Sequence, residues 1–97
     1  MVINKTVDGT TLQVSIEGRL DTNSAPEFEA ELGSLEGVEK LALDFGKLEY
    51  VSSAGLRIIL TLQKKMAKQG EMTISNVLPQ VKEVLDITGF SDILTII

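Results

Sequence analysis

Ser52 and Ser53 are adjacent hydroxyls between the apolar pair Tyr50-Val51 and the segment Ala54-Gly55-Leu56, where a helical repeat begins. The first N–H groups of a helix have no intrahelical partner, and the positive end of the helix dipole lies there. A phosphate added to either hydroxyl would meet donors already in place. A helix start that follows a loop is also open to a kinase. The plainer reading is a serine N-cap, with Gly55 admitting a neighbouring backbone. Chemistry alone does not choose between them.

The residue types that are missing exclude more. The chain has no histidine and no cysteine. Ser-His and Cys-His catalytic pairs are therefore impossible, zinc loses its commonest nitrogen ligand, and disulfides cannot form. Ser53 as a nucleophile would need a lysine or aspartate as base, and no lysine adjoins it in the sequence. The expectation is a protein that is not an enzyme, with no catalytic residue, metal or cofactor.

Other polar residues have structural readings. Asp21 suits a brace for the turn before Ser24, since aspartate readily bonds backbone N–H groups two residues on. Glu27 and Glu31 share a helix face, but two exposed carboxylates fall short of the ~6–8 oxygens that calcium takes. Lys64, Lys65 and Lys68 fall in the last turns of a helix, where cations complement the dipole. Asp44 ends an apolar run and suits a loop brace.

The elements that must position these residues follow from periodicity. Residues 2–7 and 10–17 read as strands, the second alternating Leu12, Val14 and Ile16 with polar residues, and Asp8-Gly9 between them reads as a hairpin turn. Gly18–Asn23 is a loop. Ser24 and Glu27 have capping-box spacing, Pro26 sits in the first turn, Ala25, Phe28, Leu32 and Leu35 form an apolar face, and Gly37 is the stop. Leu41–Phe45 is a nearly continuous apolar run, the mark of a strand covered on both faces. A loop over Gly46–Val51 then leads to a helix from about 54 to 68, with Leu56, Ile59, Leu60, Met66 and Ala67 inward and Gly70 at its end. Met72-Thr73-Ile74 is a short strand. Pro79 opens a further helix with Val81, Val84 and Leu85 inward, closed by Gly89. The tail 92–97 fits strand or helical turn equally. This order predicts an α/β fold with a mixed sheet of four to five strands, an N-terminal β-hairpin and helices packed against it.

At 97 residues and 43% apolar, the chain suits one domain spanning 1–97. Fourteen acidic against nine basic side chains leave a net charge of −5, a poor match for nucleic acid or an anionic membrane. The opening residues lack a secretory pattern and no apolar stretch approaches the ~20 residues of a membrane span. The expected location is the cytoplasm.

Four segments together resemble one family. Tyr50-Val51-Ser52-Ser53-Ala54-Gly55-Leu56 is similar to the signature of the STAS-domain anti-sigma factor antagonists, Asp-Ser-Ser/Thr-Gly-Leu after an aromatic and an aliphatic residue. Gly18-Arg19-Leu20-Asp21, followed by Ser24-Ala25, resembles the family's Gly-x-Leu-Asp-x-x-Ser/Thr-Ala segment. Leu41–Phe45 resembles its central strand, and Lys68-Gln69-Gly70 and Leu85–Phe90 its later landmarks. The resemblance spans essentially the whole chain.

It implies a bacterial regulator of transcription acting through protein–protein contact. Such a protein binds an anti-sigma factor that is also a serine kinase, freeing the sigma factor. The kinase phosphorylates one serine of the antagonist and ends binding; a metal-dependent serine phosphatase restores it. The acceptor carries over to Ser53, with Ser52 as rival, and the implied partner surface is Asp21, Thr22, Asn23, Ser52, Ser53, Ala54 and Gly55. A monomer or weak dimer is expected. Two positions depart from the pattern: Ser52 stands where the family has its acidic residue, and Ala54 lacks the second hydroxyl. The alternative is a STAS interaction module that is not phosphorylated and works in a transport or lipid-trafficking complex, with Ser53 only part of a helix cap.

Overall fold

The alternation of Leu12, Val14 and Ile16 with Thr11, Gln13 and Ser15 is realised as a strand with one face buried and one open. A computed structural model covering residues 1–97 orders the chain as β1 (Val2–Asp8), β2 (Thr11–Leu20), α1 (Ala25–Leu32), β3 (Lys40–Val51), α2 (Ser53–Ala67), β4 (Glu71–Ser75), α3 (Pro79–Ile87), one 3-10 turn (Phe90–Asp92) and β5 (Thr95–Ile96). The five strands form one sheet in the order β1-β2-β3-β4-β5. β1 and β2 are antiparallel, from Val2 opposite Glu17 to Asp8 opposite Thr11. Gly9 turns the hairpin at φ +62°. The remaining neighbours are parallel, so each pair needs a crossover, supplied in turn by α1, α2 and α3. The mixed sheet with its N-terminal hairpin is the architecture expected, and the undecided tail is strand β5.

The helices share one core with one face of the sheet. Phe28 and Leu32 of α1, Ile59, Leu62 and Met66 of α2, and Val81 and Leu85 of α3 pack on Leu41, Leu43, Phe45 and Ile74. The other face is uncovered. Asn4, Thr6, Gln13, Ser15, Asp44 and Ser75 line a polar depression of about 360 Å³ there. β3 is therefore covered on one side only, contrary to the sequence reading. Ala42 is small enough to have disguised the alternation of Leu41, Leu43 and Phe45 with half-buried Ala42 and Asp44.

The two strands that reach the serine pair are longer than their sequences suggest. β2 runs through Gly18 to Leu20, and β3 runs through Gly46 to Val51, where loops were expected. Both glycines sit at irregularities of a continuing ladder. The β2–β3 register slips between Ser15 and Glu17 and again between Gly18 and Arg19, which places extra residues on β3 and twists it. The Asp44 carboxylate accepts the Gly46 N–H (2.8 Å) and an Asn76 amide hydrogen (3.2 Å). It braces a bulge inside the strand.

Three local expectations are corrected. α1 ends at Gly33 (φ +65°), not Gly37; Leu35 is buried beyond the helix at φ +56°. Along α2 the inward stripe is Gly55, Leu56, Ile59, Leu62 and Met66. Leu60 is half-buried and Ala67 exposed, because position 62 continues the 3.6-residue repeat from 59 and positions 60 and 67 stand off it. Ser24 makes no side-chain bond to the start of α1; its hydroxyl is held elsewhere, as described next.

Candidate functional site

At the carboxyl ends of β2 and β3 the chain makes two corners that touch. The first corner joins β2 to α1. Asp21 Oδ1 accepts the backbone N–H groups of Asn23 (3.0 Å) and Ser24 (3.1 Å). The Ser24 hydroxyl donates to the Arg19 carbonyl (2.6 Å) and accepts the Asp21 N–H (2.9 Å). The hydroxyl makes no bond to the first turn of α1, and Asp21 holds the Ser24 N–H that Glu27 would need for a capping box. Instead, the Asp21 carbonyl takes the first N–H of α1, that of Ala25, at 2.8 Å. Asp21 is thus the turn brace anticipated, and Thr22 and Asn23 stand exposed at its tip.

The second corner joins β3 to α2. Ser52 is extended (φ −94°, ψ 176°) and its Oγ accepts the Gly55 N–H at 3.3 Å, an N-cap. The Ser52 N–H donates to the Leu20 carbonyl (2.8 Å), and the Ser52 carbonyl accepts the Leu56 N–H (2.8 Å). Ser52 is half-buried. Ser53, the first residue of α2, is exposed and its hydroxyl takes no part in any protein hydrogen bond. Ala54 is half-buried and Gly55 buried. The two hydroxyls thus divide the work at the helix mouth: one caps, the other faces solvent.

The Ser52–Leu20 hydrogen bond joins the two corners, so 21–23 and 52–55 lie on the same rim. A further link was missed in the sequence. Arg19 and Tyr50 are directly paired in the β2–β3 ladder, and the guanidinium stacks 4.1 Å from the centre of the exposed Tyr50 ring. Such a cation–π contact contributes about 0.5–1 kcal/mol at an exposed site. The signal lay in the β2–β3 register, which residues thirty apart decide.

Four hydrogen-bonding and charge effects, and burial against them, act on the Asp21 carboxylate. The Ser24 N–H lowers its pKa most; partial burial opposes this; the Asn23 N–H, the Ser24 hydroxyl and the Arg19 charge lower it further. The net direction is below the ordinary carboxylate value. A depressed carboxylate stabilises the fold above its unfolded pKa, near 3.9, and that stabilisation is lost as pH falls through the lower folded value. Asp21→Asn should therefore be less stable than wild type at pH 7, with the gap closing below about pH 4. Urea unfolding of both proteins at pH 7 and pH 3 checks this; an equal gap at both values would remove the charge from the account of this turn.

Comparison with known proteins gives the family of this mixed sheet backed by helices. The model of the STAS domain matches residues 2–97, and the chain belongs to that family. Two curated relatives are anti-sigma factor antagonists by name. BtrV of Bordetella bronchiseptica, so assigned, is 37% identical over 90 residues, covering 90% of this chain and 77% of that one. The anti-sigma-B factor antagonist of Bacillus subtilis is 32% identical over 87 residues, covering 88% and 80%. Among solved structures, an assigned anti-sigma factor antagonist of Thermotoga maritima superposes with a TM-score of 0.89 at 18% identity, covering 97% of this chain and 84% of that one. SpoIIAA superposes with a TM-score of 0.76 both unphosphorylated (17% identity, covering 99% and 87%) and, from Bacillus, phosphorylated (18%, covering 99% and 91%).

No helix of the chain is long and apolar enough to cross a membrane.

Proposed function

We propose that this protein is an anti-sigma factor antagonist. It acts in the bacterial cytoplasm by binding an anti-sigma factor that is also a serine kinase, so that the bound sigma factor is freed. It is a regulator and not an enzyme. Phosphorylation ends the binding: the γ-phosphoryl group of ATP passes to the Ser53 Oγ, the hydroxyl proton is released, and ADP leaves. A serine phosphatase hydrolyses the ester and restores the binding form.

The two relatives above 30% identity support the class. The observation that carries the choice of residue is the division of labour at the corner. Ser53 is exposed with a free hydroxyl, whereas the Ser52 oxygen is half-buried and occupied as the cap. Modifying Ser52 would break that cap, at a cost of about 0.5–2 kcal/mol. Modifying Ser53 adds about −1.5 to −2 charges at the positive end of α2 without disturbing a bond. The switch is then a change of interface and not of fold. Both the unphosphorylated and the phosphorylated forms of SpoIIAA share this fold, in keeping with that.

A second reading rests on Ser52 itself. It replaces the acidic residue of the motif, and a STAS module that is never phosphorylated needs only the cap it supplies.

Intact-mass analysis after incubation with the partner kinase and ATP separates the readings. Wild type should gain one phosphate and Ser53→Ala none, while Ser53→Ala still binds the partner. Ser53→Asp should bind about 5–150-fold more weakly, the range of a regulatory coupling of ~1–3 kcal/mol. A phosphate mapped to Ser52 would move the site; no phosphate with a demonstrably active kinase would favour the second reading.

A further inference from the structure

The solvent face of α2 carries a row of cations that the corner does not use. Ser53, Arg57, Thr61, Lys64 and Lys68 recur at the helical repeat, with Lys65 beside them. Arg57, Lys64, Lys65 and Lys68 are exposed. The four ion pairs of the protein use Lys5, Arg19, Lys40 and Lys82, so the four cations on α2 have no carboxylate within 4 Å. In a chain of net charge −5, four of the nine basic side chains stand unpaired on one face.

Complementing the helix dipole accounts for part of this row only. That effect is confined to the last turn, where Lys64 and Lys65 lie. Arg57 sits one turn from the N-terminus, the end at which the dipole disfavours a cation. Thr61 turns its hydroxyl back to the Arg57 carbonyl (2.9 Å) and leaves the face to the charges. Toward the C-terminal end, Thr61, Lys64, Lys65 and Lys68 line a hollow of about 380 Å³ with Ser34 and Gln69, and no hydrophobic residue borders it. The hollow has a fixed wall, because the Gln69 amide donates to the carbonyls of Leu35 (2.7 Å) and Val38 (2.6 Å).

We infer that this face of α2 docks an acidic segment of a protein partner, with Ser53 at the head of the row as its switch. The row is one helix face wide and, from 53 to 68, roughly 22 Å long at 1.5 Å per residue. It suits a single acidic helix or strand. A duplex or an anionic bilayer would extend past it onto the acidic remainder of the surface and be repelled there. A phosphate on Ser53 falls four residues before Arg57, the spacing of a helical ion pair. It would neutralise the nearest cation and cancel roughly half of the row's charge. The docking surface stands on the cations alone; its switching rests on the Ser53 reading of the proposed function.

The test titrates the ¹⁵N-labelled chain with a synthetic glutamate-rich peptide of about 15 residues, long enough to follow the row, at low and high salt. Amide shifts should concentrate in 57–68, and apparent affinity should fall as salt rises. The exposed double variant R57E/K64E, with an unchanged circular dichroism spectrum, should lose at least about tenfold in affinity through like-charge contact. Parallel titrations use a DNA duplex and phosphatidylserine vesicles. Shifts scattered over the chain, or surviving charge reversal, overturn the docking surface; so does duplex or vesicle binding at lower concentration than the peptide. Full-strength peptide binding by Ser53→Asp overturns the switch and spares the surface. None of these arms requires a kinase, so failure of Ser53 phosphorylation and failure of this surface register separately.

Discussion

Gly70→Ala is expected to cost about 3 kcal/mol or more, the upper end of what forcing atoms into packed space costs. A Cβ at this position would lie 1.8 Å from the Glu39 carbonyl oxygen and 2.6 Å from its carbon. These are backbone atoms, and no rotamer change moves them. The Glu39 carbonyl accepts the Glu71 N–H (3.0 Å), and the Glu39 N–H donates to Thr10 (2.8 Å). Glu39 is thereby tied to both the β2 and β4 sides of the sheet. Gly70 is held from its own side by its N–H on the Met66 carbonyl (2.7 Å). Relief requires α2 to lift from the sheet or β4 to part from β3. In an unstrained site the same substitution would stabilise by ~0.4–1 kcal/mol through the unfolded chain, so the sign is diagnostic. Thermal and urea unfolding should show a midpoint lower by about 12–24 °C for a domain of this size. A midpoint at or above wild type would mean that α2 does not enter β4 as described.

How much of this was legible in the sequence depended on range. The hairpin was, because period-two burial and a positive-φ glycine are both written within ten residues. The start of α2 was too, because a serine, a glycine and a 3.6-residue repeat are adjacent. Gly18 and Gly46 misled. Each looks locally like a strand end, but the parallel ladder between β2 and β3 carries the strands past both with shifts of register. That pairing is decided by side chains thirty residues apart. The Ser24–Glu27 spacing failed for a similar reason. The Arg19 carbonyl, presented by the unforeseen end of β2, attracts the hydroxyl that would have capped α1. The open polar face was hidden because Ala42 is neutral between a covered and an uncovered surface. Of the site, the residues of both corners were readable one by one. Their meeting through Leu20 and Ser52 was not, and neither was the division of roles between two identical hydroxyls.

That meeting makes Gly55→Ala the substitution in which fold and function are least separable. A Cβ on Gly55 would stand 2.7 Å from the Leu20 carbonyl oxygen, 2.8 Å from Val51 Cγ2 and 2.9 Å from Leu20 Cγ. Leu20 is fully buried and Val51 nearly so, so the side chains have little space to retreat. The helix gains about 1 kcal/mol in propensity when glycine becomes alanine. The overpacking loses up to about 3. The balance is a net loss of up to about 2 kcal/mol, and its route of relief is specific: the first turn of α2 moves away from the end of β2. The Leu20 carbonyl, against which the new methyl presses, is also the acceptor of the Ser52 N–H. Its displacement therefore loosens the link that holds the Asp21 turn beside the serines. The expected result is an unfolding midpoint lower by up to about 8–16 °C, with amide shifts largest at 20–24 and 52–56. Slower phosphate transfer to Ser53 should accompany them, although Ser53 and Ser52 themselves are unchanged. Unshifted Leu20 and Ser52 amides in a variant as stable as wild type would show that the close approach of α2 to β2 does not hold the two corners together.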